Sequence, residues 1–380
     1  MCSTSFRVPG IAILLITGTI GSGFLQARHV SARSPGKDRV ETLTIRDGVV
    51  ALPSPPGKVE APVLSPDGKR MAIVINEYEN ELLHLKVGSV WLAECSGGEW
   101  QAPHLFRQGT VDAVGCLETF FHPSFGGDGT AVVFNHVHVD TTVFVPKASS
   151  LHSWVEVEAR PQAYRWEAEA LGLHGEIIEH PRLSPDGNWL VFYVKRKPAT
   201  RGVWLMDLRS GRLHRISDQD DKHPVWTPDG TRILFHHQVG GDALDRAPLG
   251  TPETSGLGFI ELRLDDPDAV TLTRVLLDPP AGGFRYHKHP MMMPGSDLVL
   301  FHGREAPGGP HELMARRLRP GSPIYRLRIL EGDREIEKAK HPSTAPAAPV
   351  VVFVGAFKGA RSGVYQFRPE ALAQLESEVK

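Results

Sequence analysis

The chain has 380 residues, a formal net charge of −2, and 41% hydrophobic against 23% charged residues. That is the balance of a globular protein, and so close to neutrality it offers no charge-based reason to bind DNA, RNA or an anionic membrane. The 38 glycines and 31 prolines favour many turns over long helices, and 18 histidines are the unusual feature.

In chain order, Arg7 followed by the apolar stretch Val8 to Ile20 reads as a secretory targeting segment, with cleavage after Ala27 or after Ala32. The stretch is short for a membrane span. Residues 1–32 are therefore assigned to export, 33–368 to one β domain and 369–380 to a tail with helical character from Pro369, and the expected location is periplasmic or secreted. Removal of Cys2 with the leader leaves Cys95 and Cys116, for which one disulfide and two buried thiols both stay open.

Val40-Glu-Thr-Leu-Thr-Ile45 is the first strand-like run, and an internal repeat follows it. The clearest copies are Ala61-Pro-Val-Leu-Ser-Pro-Asp-Gly68, His180-Pro-Arg-Leu-Ser-Pro-Asp-Gly187 and His223-Pro-Val-Trp-Thr-Pro-Asp-Gly230; weaker ones start at His122, His289 and His341. In each, a short strand meets a tight turn in which Pro sets φ, Asp bonds backbone amides and Gly accepts positive φ. A β-branched and aromatic run follows, such as Met71–Ile75, Trp189–Val194, Leu298–Phe301 or Val350–Val354. Third and fourth strands recur most clearly in Val203–Ile216. The unit is a four-stranded antiparallel meander, and copy starts spaced by 43 to 66 residues fit a propeller with rim insertions. The last copy lacks a full fourth strand after Phe367, a gap that Val40–Ile45 is expected to fill. The predicted fold is all-β: a six-bladed β-propeller of four-stranded blades, its ring closed by an N-terminal strand, and monomeric because closure leaves no long edge.

The Ser-Pro-Asp-Gly unit followed by a Val/Phe strand resembles the WD40-like repeats of the TolB-like propeller family. The resemblance covers about residues 40–368. It implies fold more than function, because such propellers serve as binding platforms, peptidase accessory domains and lyases.

His122, His180, His223, His289 and His341 open five of the six copies, and only Ala61 departs from the pattern. First strands of propeller blades are innermost, so these imidazoles are expected around one mouth of the central channel. Second strands run back toward that face and carry His136, His138, His236, His237 and His302. With His287, at least eleven of the 18 histidines map to one rim. Such a set suits a divalent metal of the Mn, Fe, Ni or Zn kind, or an anionic ligand; the alternative is that each ring satisfies a neighbouring blade's backbone. His287 and His289 on one strand are expected to reach a single ion.

The histidine pattern also looks like that of oligogalacturonate lyases, a resemblance that implies a metal held in the channel by His180, His287, His289 and His341. By the same resemblance Lys222, Arg285, Lys288 or Lys340 would lie near the sugar acid. Two readings follow: an exported platform for a protein or ligand, with His122 and His223 joining the metal set, or a metal-dependent lyase or hydrolase of acidic saccharides.

Other chemistry has less support. No Gly-x-Ser-x-Gly elbow, phosphate-binding glycine loop or His-Glu-x-x-His motif occurs. Asp67, Asp186 and Asp229 are assigned to the repeat turns and Met291–Met293 to core packing. Asp218–Asp221 reads as a solvated loop, and Arg160–Gly175 as a short helical insertion.

Overall fold

A computed structural model describes residues 28–29, 40–80, 85–111, 117–139, 151–158, 164–195, 197–217, 220–239, 254–264, 270–278 and 285–379. The leader assigned above, apart from residues 28 and 29, and Cys116 lie outside the described residues.

Each repeat copy folds as the meander its pattern predicts. Repeat three is the simplest: Ile178–Leu183, Trp189–Val194, Gly202–Asp207 and Leu213–Arg215 pair antiparallel in chain order. Its first turn is made by its own side chains. The Ser184 hydroxyl and the Asn188 N–H both donate to Asp186, and Gly187 takes φ 72°. The same bonds recur at Asp67 and Asp229, so these carboxylates serve the turns. Repeat one runs through Lys58–Leu64, Arg70–Asn80, Leu85–Ser96 and His104–Arg107, and repeat two through Leu117–Phe125, Val132–Val139, Leu151–Glu158 and Tyr164–Glu167. Repeat four comprises Asp221–Trp226, Arg232–Val239, Thr254–Arg263 and Thr271–Leu276; repeat five comprises Tyr286–Met292, Leu298–Arg304, Glu312–Arg317 and Ile324–Glu331. Repeat six supplies Arg334–Ala345, Ala348–Phe357 and Gly363–Phe367.

The core lies between successive sheets, because strands in the middle of each meander are apolar on both faces. All six residues of Trp189–Val194 are buried. Val191 and Leu205 of repeat three pack with Ile233, Phe235 and Ile260 of repeat four, and Ile73 and Ile75 of repeat one pack with Val352 and Val354 of repeat six. Met292 and Met293 join such clusters, consistent with packing. Each large aliphatic side chain so buried contributes roughly 1.5–3 kcal/mol.

Two expectations need correction. Val40–Arg46 does not complete repeat six; it runs parallel beside Ile324–Glu331 as an added outer strand of repeat five, with Leu43 and Ile45 buried. On the edge away from Ala348–Phe357, Gly363–Phe367 pairs antiparallel with Val49–Leu52. Asp47 at φ 49° and Gly48 make the reversal between them, and Gly48 is required there because a Cβ would stand 2.4 Å from Ile45 Cγ2. The proposed helix over Arg160–Gly175 is also absent from the described part of that range: Tyr164–Glu167 is a strand paired with Trp154–Val157, followed by turns. Sheet pairing here overrides the helix propensity of Glu and Ala, and Gly172 and Gly175 take positive φ.

Pro369–Glu378 is the helix of the C-terminal tail. It buries Ala371, Leu372 and Leu375 in the cluster that holds Leu43 and Ile45. No helix among the described residues is long and apolar enough to cross a membrane.

Candidate functional site: a histidine-lined channel

The His-Pro step has a specific backbone consequence. In repeats two to six the first strand jumps register at this step, between Phe121 and Ser124, Glu179 and Arg182, Lys222 and Val225, Lys288 and Met291, and Lys340 and Ser343. At each bulge the histidine takes a left-handed φ of 50–53°. A left-handed residue other than glycine costs about 1–2 kcal/mol, so five copies mark a conformation the surrounding fold imposes. Ala61 in repeat one follows a smaller irregularity, between Val59 and Ala61, and is not left-handed.

The bulges bring the imidazoles together. Ring centroids are 3.6 Å apart for His122 and His180, 3.9 Å for His180 and His223, 3.8 Å for His223 and His289, and 4.3 Å for His289 and His341. Second strands add His236, 4.4 Å from His223, and His302, 4.9 Å from His289 and 5.1 Å from His341. One nitrogen from each of His289, His302 and His341 lies within 4.8 Å of the others, a spacing that one ion can bridge.

The electrostatics favour neutral rings. Burial is the first cause that pushes His180, His223, His236, His289, His302 and His341 well below the usual histidine value, and their mutual charges add to it. His122 falls to about 4 for the same reason. Neutral imidazoles are the form that ligates metal. Among the described residues neither nitrogen of His236, nor Nδ1 of His223 and His341, has a hydrogen-bond partner. Others are satisfied: His122 Nδ1 lies 3.0 Å from Asn135 Oδ1, and the His341 N–H donates to His302 Nδ1 at 3.2 Å.

The remaining candidates sit elsewhere. His287 is bonded through Nδ1 to Asp278 at 2.8 Å and packs on Phe301, so its neighbours differ from those of His289. His136 and His138 share Glu118, with His136 stacked on Phe120. His237 is bonded to Asp221 at 2.9 Å. Lys340 pairs with Glu60 at 3.1 Å, Lys222 lies 3.5 Å from Asp220, and Lys288 lies over the Tyr286 ring. For Arg285 the backbone carbonyl accepts a bond from the Ser255 N–H at 2.7 Å.

Several site residues have no repeat signature. His311 contacts His302 at 5.0 Å, and burial beside Arg304 lowers it to about 3. Asp221, in the stretch read as a solvated loop, is fully buried and accepts two bonds of 2.7 Å from Arg274. That correction has a plain cause: Asp221 turns inward because Arg274 and His237 neutralise it there. Arg182, on the first strand of repeat three, donates to the Pro123 carbonyl at 2.6 Å, and burial lowers it to about 10.

Metal-free protein is therefore expected to be acid-labile. The unfolded chain protonates its histidines near 6.5 while the folded channel resists, so stability is full above pH 6.5 and declines as pH falls toward 4. Partial exposure of His122 and the coupling within the ring limit the total to a few kcal/mol, as an order of magnitude. Thermal melts of chelator-treated protein at pH 7.5 and 4.5 check this, and equal midpoints would contradict a buried neutral ring.

Meanders that follow one another along the chain, pack face to face and bring the histidines of their first strands together define a β-propeller fold, with repeats that resemble the WD40-like kind. No protein-family model matches the chain. It is 26% identical over 141 residues to the Bacillus subtilis (strain 168) protein named "Uncharacterized peptidase YuxL"; the match spans 36% of this chain and only 20% of that protein. Among solved structures it is similar to TolB from Acinetobacter baumannii, at 12% identity and TM-score 0.48, over 81% of this chain and 65% of that one. It is also similar to the Myceliophteria thermophila Cps50 (Swd1) propeller domain, at 10% identity and TM-score 0.49, over 84% and 98% of the two chains. A third similarity is to an oligogalacturonate lyase in complex with manganese, at 12% identity and TM-score 0.45, over 86% and 92%.

Proposed function

We propose that this chain is an exported six-bladed propeller, its ring closed by Val49–Leu52, that holds a divalent transition metal in its channel and binds an anionic ligand through it. The observation that carries the reading is the meeting of His289, His302 and His341 within 4.8 Å. All three are neutral by burial, and Nδ1 of His341 has no hydrogen-bond partner among the described residues. An all-nitrogen set suits Mn, Fe, Ni or Zn and disfavours calcium. Neutral ligands leave the ion's charge uncompensated, and Lys288, Lys340 and Arg182 add to it, so an anion is the natural occupant. Export rests on Arg7 and the apolar stretch Val8 to Ile20.

Elemental analysis after dialysis against each metal tests the reading. About one ion per chain is expected in the wild type and almost none in the double variant His289→Ala, His341→Ala. The loss should exceed the roughly 10–100-fold that removal of an outer-shell partner costs. Negligible metal in both would end the proposal. A second reading, a metal-dependent lyase or hydrolase of acidic saccharides, draws on the lysines that precede His223, His289 and His341. Turnover of uronate oligomers by the metal-loaded protein separates it from a binding role.

A further inference from the structure

The imidazole ring is broken at one place. In repeat order the contacts run from His122 through His180, His223 and His289 to His341, with centroid separations of 3.6, 3.9, 3.8 and 4.3 Å. Between His341 and His122 stands repeat one, whose equivalent residue is Ala61. Its first strand is tied to repeat six by the Leu64 N–H donating to Ser343 Oγ at 3.0 Å and by the pair between Glu60 and Lys340 at 3.1 Å. Ala61 is partly exposed, and the strand there lacks the left-handed bulge of the other repeats. Where a sixth imidazole would complete the ring, the side chain is a single methyl group, and this break in the ring is the notch.

The notch is next to the triad, since His341 belongs to the adjoining repeat. Three protein nitrogens leave a tetrahedral ion at least one open position, and imidazoles crowd the other flank of His289 through His223. Glu60 lies 3.6 Å from Lys58 as well as 3.1 Å from Lys340, two cations to one carboxylate, so the charge left over at the notch has the same sign as the ion's own and favours entry of an anion.

We propose that the break at Ala61 is the ligand position of this site: a small anion with an oxygen or nitrogen donor enters beside Ala61 and takes the open position on the ion held by His289, His302 and His341. The proposal rests on the metal reading above. It assigns Ala61 a role by size, as the residue that sets which ligands fit, and gives a reason for the one repeat copy that lacks histidine.

The test uses full-length protein loaded with Co(II), whose visible spectrum reports ligand number and identity, titrated with azide. Wild type is expected to shift its bands on azide addition. Ala61→His, which adds a competing donor, and Ala61→Leu, which fills the notch without one, are expected to retain one cobalt and weaken the azide response by on the order of tenfold or more. Either variant that keeps the wild-type far-UV circular dichroism suffices if the other fails to fold. Cobalt that binds without any azide response in the wild type, or an equal response in wild type and variants, overturns the assignment of Ala61 and leaves the metal reading standing. A wild type that takes up no cobalt removes the metal reading itself.

Discussion

A chain that begins at Ser54 is expected to lose cooperative unfolding, or to unfold at far lower denaturant than one that begins before Val40. The deletion removes two different strands at once. Leu43 and Ile45 are buried on the outer strand of repeat five, and Val49 is buried in the strand paired with Gly363–Phe367. Three fully buried aliphatic side chains are worth about 5–9 kcal/mol together, the size of a whole domain's net stability. Beyond this, the loss leaves Gly363–Phe367 with Ala348–Phe357 as its one remaining partner and uncovers one side of the tail helix through Ala371, Leu372 and Leu375. Gly48→Ala is the graded form, because its Cβ would meet Ile45 Cγ2 at 2.4 Å and Ala371 Cβ at 2.8 Å. Urea unfolding followed by tryptophan fluorescence reads both, and an unchanged midpoint and slope in the truncated chain would show that the N-terminal strands do not close the fold.

Asp278→Ala is expected to cost about 3–5 kcal/mol, the penalty for leaving a buried guanidinium without its acid. Asp278 follows the last strand of repeat four and reaches into repeat five. Its carboxylate accepts from Arg316, which is 1% exposed, from the Leu257 N–H at 3.0 Å, and from His287 Nδ1 at 2.8 Å. Burial works to raise its pKa, but the charges of His287 and Arg316 outweigh it and hold the group well below the carboxylate range. The stability this supplies is present above the unfolded value near 4 and is lost only in strong acid. Arg316 keeps bonds to Ser322 after the substitution, which sets the lower end of the range. Metal content is expected to persist, since Asp278 touches none of His289, His302 and His341. A melting temperature within a degree of the wild type would contradict this account of the cluster.

Much of this architecture was legible in the repeat. The Pro-Asp-Gly turns form as read because their bonds are local: Ser184, Asp186, Gly187 and Asn188 meet within five residues, so no distant partner is needed. The apolar runs after each turn are buried strands because only the space between sheets can accept side chains on both faces. The five His-Pro steps pointed to one place, and their rings meet there. Alternation alone could not say which neighbour an edge strand takes. Val40–Ile45 and Val49–Leu52 both fit a sheet edge, and the choice between them depends on chain direction and on the reversal that Gly48 permits.

The sequence by itself determined the repeat, the meander and the gathering of histidines, since each follows from contacts within one copy or from strict recurrence between copies. Only the tertiary structure decided which histidines stand together. The bulge at each His-Pro step separates His287, held by Asp278, from His289, although the two are neighbours on one strand. It also brings in His302 from a second strand and His311 from outside the pattern. Asp221 and Arg274 lie 53 residues apart, and their pairing inside the fold places Asp221 in the core rather than in solvent. Such pairings depend on how sheets stack, and sheet stacking is written in no single stretch of the chain.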